Sequence, residues 1–503
     1  MIGIALLAAA SLSFAIAHWN SIYDDAFIYL RYVRNLHAGC GLRFNCGGPP
    51  VEGFTGPLYL ATLWAGSLFT NQLMALCQIV GVVSLIAGGA LGVVTAAALP
   101  VEKTGRLPAV LAISTALVLA LDPFAKLNAN IGMETALAAA VFSLVGFAAV
   151  TERPRLLVFA AIAGMLVRPE GLLFVLALPI LPSLRRPRYL LAAGIAIAAI
   201  VALRYGVFRA LAPNTYYAKS GGTWRHAELG LAYIWDAICD FPLAMLAPLS
   251  LFGGRSPARI YLVSVAAVWM AFFLRTGGDT FEYSRMWFPL VPSLTSLALV
   301  GAFEVAGRLR RFALVVPPVL ALATGGRAAI AHAIPEQHWN PRIVEWIQTG
   351  TYLREHYPHG SLVATVPIGA IGYFSSLPIL DLVGLTDAPI AHAGRGVPLE
   401  LLDKRWIGHE RNFTEYVLER APAVIVTTMH QAAPWVTLAG TRAGFWADWL
   451  LLQEIKAGRA PYHLHDAEVA PGDHLLMFER DAPSPTTPPF GGAAPPQQTK
   501  TPP

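Results

Sequence analysis

Residues 73–99 read LMALCQIVGVVSLIAGGALGVVTAAAL, a stretch without one charged side chain. A helix crosses the hydrocarbon core of a bilayer with roughly 17–25 consecutive apolar residues, and this stretch is long enough to do so. Shorter uncharged runs follow it at 107–121, 135–150, 189–203, 286–303 and 312–324. The whole chain has the same character. Of its 503 residues 55% are hydrophobic and 13% charged, and the mean hydropathy is +0.53. Soluble globular domains carry about 25% charged residues. Residues 1–17 are also apolar. They end in Ala15-Ile16-Ala17, which resembles a signal-peptide cleavage site, but no Lys or Arg precedes the run as an n-region requires. They read as a first span.

The net charge of +5 does not point to nucleic acid, because the basic residues gather in short loops. Lys103 and Arg106, Arg153 and Arg155, Arg185 with Arg186 and Arg188, Arg255 and Arg259, and Arg308 with Arg310 and Arg311 form five such groups with few acids. Basic loops stay on the cytoplasmic side. Alternation from an inside N-terminus then gives about 11 spans and places everything after about residue 331 outside. Residues 57–69 are too short to span comfortably, and a re-entrant or interfacial helix there keeps the Lys103 loop inside. Cys40 and Cys46 fall in the first outer loop, where an oxidising compartment allows a disulfide. Cys77 and Cys239 read as apolar fillers, and no CxxC or Cys/His cluster supports zinc.

The expected architecture is mainly α. A polytopic helix bundle at 1–331, with a first outer loop at about 18–56, leads into a small α/β extracytoplasmic domain at 332–482. Within that domain 341–356 reads as an amphipathic helix. Residues 361–366, 379–382 and 423–427 read as short buried strands. Residues 483–503 form a Pro-rich tail with too little apolar surface to order itself.

Polar residues gather in the outer loops, where a site is expected. Asp24 and Asp25 sit side by side where a helix begins. One suits a helix cap, and a carboxylate there also suits a general base, its pKa raised by the like charge beside it. Along that helix Arg31, Arg34 and Asn35 form a polar stripe. Glu52 lies in a Gly/Pro turn without an evident structural partner. Glu134 opens an apolar helix, where the dipole favours a carboxylate. Arg168 has a fork suited to phosphate, and Glu134 or Glu170 could equally pair with it. Tyr216 and Tyr217 read as an aromatic belt, with Lys219 beside them as a second cation. Asp279 and Arg285 follow a Gly277-Gly278 turn.

Six segments in this order, YDDAFIYLRYVRNLHAGCGLRFNCGGPPVEGFTGPLY, GMETAL, RPEGLL, NTYYAKSG, GGDTFEYSRMWFPLVP and DLVGLTDAPIAH, resemble a family of GT-C glycosyltransferases. Its best-known members are the mycobacterial terminal β-(1→2)-arabinofuranosyltransferases. The resemblance runs from about residue 20 to about 392. It implies an inverting membrane transferase of the bacterial plasma membrane. Its donor would be a polyprenyl-phosphate sugar, arabinofuranose in the mycobacterial members, and its acceptor a cell-envelope glycan or another extracytoplasmic molecule. The resemblance places the catalytic carboxylate at Asp24 or Asp25. Arg168, Lys219 and Arg285 would then serve the donor phosphate. Glu52, Glu134, Glu170, Asp279, Tyr216, Tyr217 and Arg31 would support the sugar. A divalent metal is compatible with this chemistry, and no residue is assigned to hold one. A flippase for lipid-linked glycans and a partner-binding assembly subunit are the readings from other classes. A transferase of another pentose or hexose to a protein is the variant within the class.

Overall fold

The computed structural model describes residues 2–19, 22–99, 107–219, 221–281, 283–307, 314–331, 342–402, 404, 407–430, 446–471 and 473–481. The Lys103/Arg106 and Arg308–Arg311 loops and the Pro-rich tail lie outside the described residues. The chain forms two compact units, and both are discontinuous in sequence. The first comprises Met1–Ile22, Gly56–Ala202 and Gly221–Asn340, the second Tyr23–Thr55, Leu203–Ser220 and Pro341–Pro503. Residues 23–55 and 203–220 therefore fold with the C-terminal part of the chain, where the sequence reading had drawn a single linear boundary near 331.

The first unit is helical. Among the described residues four helices reach membrane-spanning length and apolarity: Leu73–Ala98, Phe288–Ala306, Pro257–Thr276 and Pro187–Phe208. The pairs Leu107–Leu121 with Pro123–Asn130 and Trp224–Asp240 with Ala244–Gly253 are each bent, by 62° and 88°. The first bend falls at Asp122-Pro123. Proline has no N–H to continue a helix but fits its first position, and Asp122 accepts a hydrogen bond from Ala125 N at 3.0 Å. Shorter apolar helices occupy Ile2–Ala17, Thr135–Val150, Pro154–Val167 and Pro169–Ile180, with a further helix at Val316–Ala331. Pro57–Ser67 is an 11-residue helix, too short to cross, as its sequence indicated.

Helix Leu73–Ala98 packs through small residues. A side chain at Gly81 would meet Ala129 O, at Gly88 the backbone of Ala139 and Ala140, and at Gly92 Pro292 O. Lipid supplies no hydrophobic drive between helices, so close backbone approach of this kind holds them. Ser296 adds a hydroxyl hydrogen bond to Gly92 O at 2.8 Å. Along Pro187–Phe208 the apolar Leu191, Ile195 and Leu203 are 64%, 60% and 70% exposed. A helix showing so much apolar surface on several sides needs hydrocarbon around it.

The second unit holds a five-stranded sheet. Its strands are β1 (Val363–Thr365), β2 (Ile379–Asp381), β3 (Val424–His430), β4 (Tyr462–Ala470) and β5 (Asp473–Arg480), in the order β2-β1-β3-β5-β4. β1 pairs in parallel with β2 and β3, and β5 runs antiparallel to β3 and β4. The three parallel strands are the ones legible as short apolar runs. The β4–β5 hairpin is less legible, because β4 carries His463, His465, Asp466 and Glu468, and the consecutive His465 and Asp466 break its alternation. Helix Ile343–His356 matches the amphipathic stretch. Cys40 and Cys46 are joined, their Cα atoms 5.3 Å apart. Cys77 is buried as expected for a filler, whereas Cys239 is exposed.

Candidate active site

Helix Asp24–His37 begins at Asp24 itself, and neither Asp24 nor Asp25 caps it. The cap expected from sequence is spent elsewhere in the second unit. Asp24 Oδ2 accepts from Gly369 N at 3.0 Å and Oδ1 from Ala370 N at 2.7 Å, so the carboxylate closes the N-terminus of helix Ile368–Ser375. Gly369 is required there, because a Cβ would strike the Asp24 carbonyl. Burial pushes the Asp24 carboxyl up to about 7 from its usual 3.8, against the pull of the Ala370 N–H. Asp25 is half-buried beside it.

Two residues assigned to the sugar, Arg31 and Glu52, have partners within this unit. Arg31 is buried, and its donors are committed. Nε reaches Phe44 O at 2.8 Å, Nη1 Gly372 O at 2.5 Å, and Nη2 both Asn45 Oδ1 at 2.9 Å and Leu377 O at 2.8 Å. Its guanidinium also lies 4.5 Å from the Phe44 ring centroid. Arg31 is a staple between helix Asp24–His37, the loop behind it and the segment after helix Ile368–Ser375. Glu52 has the partner that the sequence did not show: Arg204 Nε donates to Oε2 at 2.6 Å and Nη2 to Oε1 at 3.1 Å. Burial raises the Glu52 carboxyl and the Arg204 pair opposes that rise. A charge inside the apolar run 187–208 was the available signal for Arg204.

The segment NTYYAKSG meets DLVGLTDAPIAH, also within the second unit. Asn214 Nδ2 donates to Gly384 O at 2.7 Å and Leu385 O at 3.1 Å, and the Tyr217 ring lies 4.1 Å from that of His392. Asp381, which sequence reasoning left aside, organises the turn by accepting from Val383, Gly384 and Thr386 N. Burial raises its carboxyl to about 6. Tyr216 and Lys219 are exposed.

In the first unit the remaining predicted residues come together. Arg168 Nη1 binds Glu134 Oε1 at 2.9 Å and Nη2 binds Glu170 Oε1 at 3.2 Å. Arg285 Nε binds Asp279 Oδ2 at 2.5 Å, and its guanidinium lies 3.6 Å from the Phe281 centroid. The two arginines feel each other's charge, and Tyr233 feels Asp279 and both arginines. Three carboxylates face two guanidiniums, all of them buried or nearly so. Among the described residues the carboxylates here outnumber the guanidiniums, and the arginine forks assigned to phosphate are turned toward carboxylates. Within it Arg168 Nε and Glu170 Oε2 are buried with no hydrogen-bond partner among the described residues. Such unspent polar atoms cost about 1–3 kcal/mol each unless something pairs with them. Lys126, also missed from sequence, is buried nearby in the chain on helix Pro123–Asn130. Among the described residues no group of three or more His, Cys, Asp or Glu is gathered as metal ligands.

The helical bundle with its small C-terminal sheet is the GT-C membrane fold. The crystal structure of ArnT from Cupriavidus metallidurans bound to undecaprenyl phosphate superposes with a TM-score of 0.56 at 12% identity, covering 94% of this chain and 97% of that one. The apo structure of the same protein gives the same values. In sequence the chain is similar to the terminal β-(1→2)-arabinofuranosyltransferase of Mycobacterium tuberculosis, with 27% identity over 358 residues, 59% of this chain and 55% of that protein. It thus spans about half the length of that relative. Residues 332–471 match a family described as a domain of unknown function, DUF8728.

Proposed function

We propose that the protein is a membrane glycosyltransferase that moves a sugar from a polyprenyl-phosphate carrier to an acceptor outside the cytoplasm, with inversion at the anomeric carbon. The observation that carries this is the 358-residue similarity to the arabinofuranosyltransferase, and arabinofuranose is accordingly the sugar we assign. The undecaprenyl phosphate held by ArnT supports the class of carrier. The envelope glycan, the bacterial plasma membrane and the extracytoplasmic side belong to the same proposal.

The acceptor hydroxyl oxygen attacks the anomeric carbon and forms the new glycosidic bond. The bond from that carbon to the phosphate oxygen breaks, and its electron pair leaves with the polyprenyl phosphate. The hydroxyl proton passes to a carboxylate. Asp25 is that base, because both oxygens of Asp24 already accept backbone N–H groups. A positioned base contributes roughly 10²–10⁴-fold to rate. Glu134, Arg168, Glu170, Asp279 and Arg285 suit sugar hydroxyls, which both donate and accept, better than a phosphate, since both arginine forks are already turned to carboxylates.

The test is transfer from a synthetic polyprenyl-phosphate arabinofuranose by purified protein. Asp25→Asn should lose roughly 10²–10⁴-fold in kcat with its fold intact, whereas Asp24→Asn should keep most of its activity where it folds. Full activity in Asp25→Asn would remove the base assignment. Labelled lipid moved across vesicles without cleavage would remove the transferase reading.

A further inference from the structure

Helix Trp224–Asp240 is one half of the pair bent by 88°, and the candidate site touches only one of its faces. On another, Trp224, Leu231 and Trp235 are 68%, 61% and 65% exposed, in one stripe with the exposed Cys239. Arg225, Asp236 and Asp240 run down one edge of that stripe, and Ala227, Ile234 and Ile238 down the other. Glu228 falls within the stripe, and its ion pair with Arg225 at 2.7 Å turns it to the charged edge. The opposite face, His226, Gly230, Tyr233 and Ala237, is buried. A Cβ on Gly230 would strike Phe273 O of helix Pro257–Thr276, and Tyr233 Oη accepts from Met286 N at 3.1 Å. The helix thus meets three surroundings along its length: protein, a charged edge suited to water, and an apolar side.

Its orientation follows from its partner half, Ala244–Gly253. A side chain at Gly301 would meet the backbone of Leu249 and Ser250, and one at Gly253 would meet Glu304. Residues 249–253 therefore step alongside residues 301–304 of the span Phe288–Ala306, in the same direction. Spans tilt by about 20° from the bilayer normal. Helix Trp224–Asp240, turned 88° from its partner half, then lies close to the membrane plane. Composition agrees. Between Glu228 and Asp236 the helix has one short uncharged stretch, far below the roughly 17–25 residues of a crossing. An apolar stripe with two tryptophans and a charged edge beside it is the pattern of a helix lying in the interface.

We propose that helix Trp224–Asp240 docks on the bilayer, flat at the headgroup–acyl boundary, with Trp224, Leu231 and Trp235 toward the acyl chains. Through Tyr233 and Met286 it braces, from the membrane surface, the segment that carries the Asp279–Arg285 pair. This surface rests on the membrane fold and not on the transfer reaction, so its test uses no sugar donor. Purified full-length protein is reconstituted in vesicles of phosphatidylethanolamine and phosphatidylglycerol. A nitroxide is attached to Cys239 of the parent and, in a Cys239→Ala background, to Trp224→Cys, Leu231→Cys, Trp235→Cys and Asp236→Cys. Collisions with oxygen, which concentrates in the acyl layer, and with a water-soluble nickel chelate give the depth of each label. Ile195→Cys and Leu203→Cys on helix Pro187–Phe208 calibrate the scale.

Labels at 224, 231, 235 and 239 should share one shallow depth, about 5–10 Å into the boundary, and the label at 236 should meet the nickel chelate. A depth that changes by about 16 Å from 224 to 235, the rise of a crossing helix, would overturn the proposal in favour of a broken span. Labels on the stripe that meet nickel but little oxygen would put this face in water. Labels shielded from both would put it against protein, a second copy or another chain. Either result overturns the proposal, and the transferase reading stands in every case. The label on the parent's own Cys239 needs no substitution, so a variant that fails to fold does not remove the test.

Discussion

The predicted site residues of the two units are used differently. In the second unit Asp24, Arg31 and Glu52 are each saturated by partners of their own unit: two backbone N–H groups, four acceptors, and a bidentate Arg204. In the first unit the ions pair with one another and still leave Arg168 Nε and Glu170 Oε2 without hydrogen-bond partners among the described residues. Both sets are buried, polar and near the quoted motifs, so burial does not separate structure from function. The distinction lies in whether hydrogen-bonding capacity is left over. Saturated groups hold loops in place. Groups with buried, unused donors or acceptors are the ones to expect against a ligand.

That contrast is broken most sharply at Arg31. Arg31→Ala would remove four charge-assisted hydrogen bonds and strand Leu377 O, while Asn35 Nδ2, Ser376 N and Ile379 N still reach Phe44 O, Gly372 O and Asn45 Oδ1. At about 1.5–3 kcal/mol for each bond to a charged group, the loss should be on the order of 5 kcal/mol. Thermal unfolding of the solubilised protein checks it, and an unchanged midpoint would return Arg31 to the ligand-binding residues. Arg204→Ala comes next. It strands a buried Glu52 carboxylate, which should cost about 3–5 kcal/mol, whereas replacing both partners by apolar residues should cost much less. A double variant as unstable as the single one would show that the pair does more than neutralise itself.

Glu170→Gln takes the contrast to the first unit. The Gln carbonyl can keep the bond to Arg168, so the unfolding midpoint should hardly move. The cost should fall on substrate, as a rise in KM of roughly 10-fold with kcat little changed, because one acceptor toward a hydroxyl has become a donor. A fall in midpoint with KM unchanged would place Glu170 among the staples.

The sequence showed the bundle, because a lipid-facing helix has to be apolar over its length and residues 73–99 can do nothing else. It showed the parallel strands for the same reason, since strands buried on both faces are short apolar runs. It also pointed to polar residues that are buried and paired in the structure. It did not show how they pair, because pairing joins residues far apart in the chain: Arg168 to Glu134, Glu52 to Arg204, Asp24 to Gly369. Adjacent Asp24 and Asp25 read as interchangeable, and only the N-terminus of a helix more than three hundred residues away distinguishes them.

The smallest effect is at Asp24, where the sign of a pH dependence tests its role. The unfolded chain gives up this proton near 3.8 and the folded chain near 7. Between those values the folded state binds more proton than the unfolded one, so this group's contribution to stability falls as pH climbs from about 4 to 7. Asn imitates the neutral carboxyl. One of its two polar atoms is a donor and faces the N–H groups of Gly369 and Ala370, so one hydrogen bond is lost, at about 1 kcal/mol. Near pH 5 Asp24→Asn should therefore be slightly less stable than the parent. Near pH 8 the parent carries a buried charge that the variant lacks, and the variant should draw level or pass it. Unfolding midpoints of the two proteins at both pH values decide the point. A difference that does not change with pH would mean that Asp24 is ionised throughout, held by the helix it closes, and that the two carboxylates differ only in their hydrogen bonds.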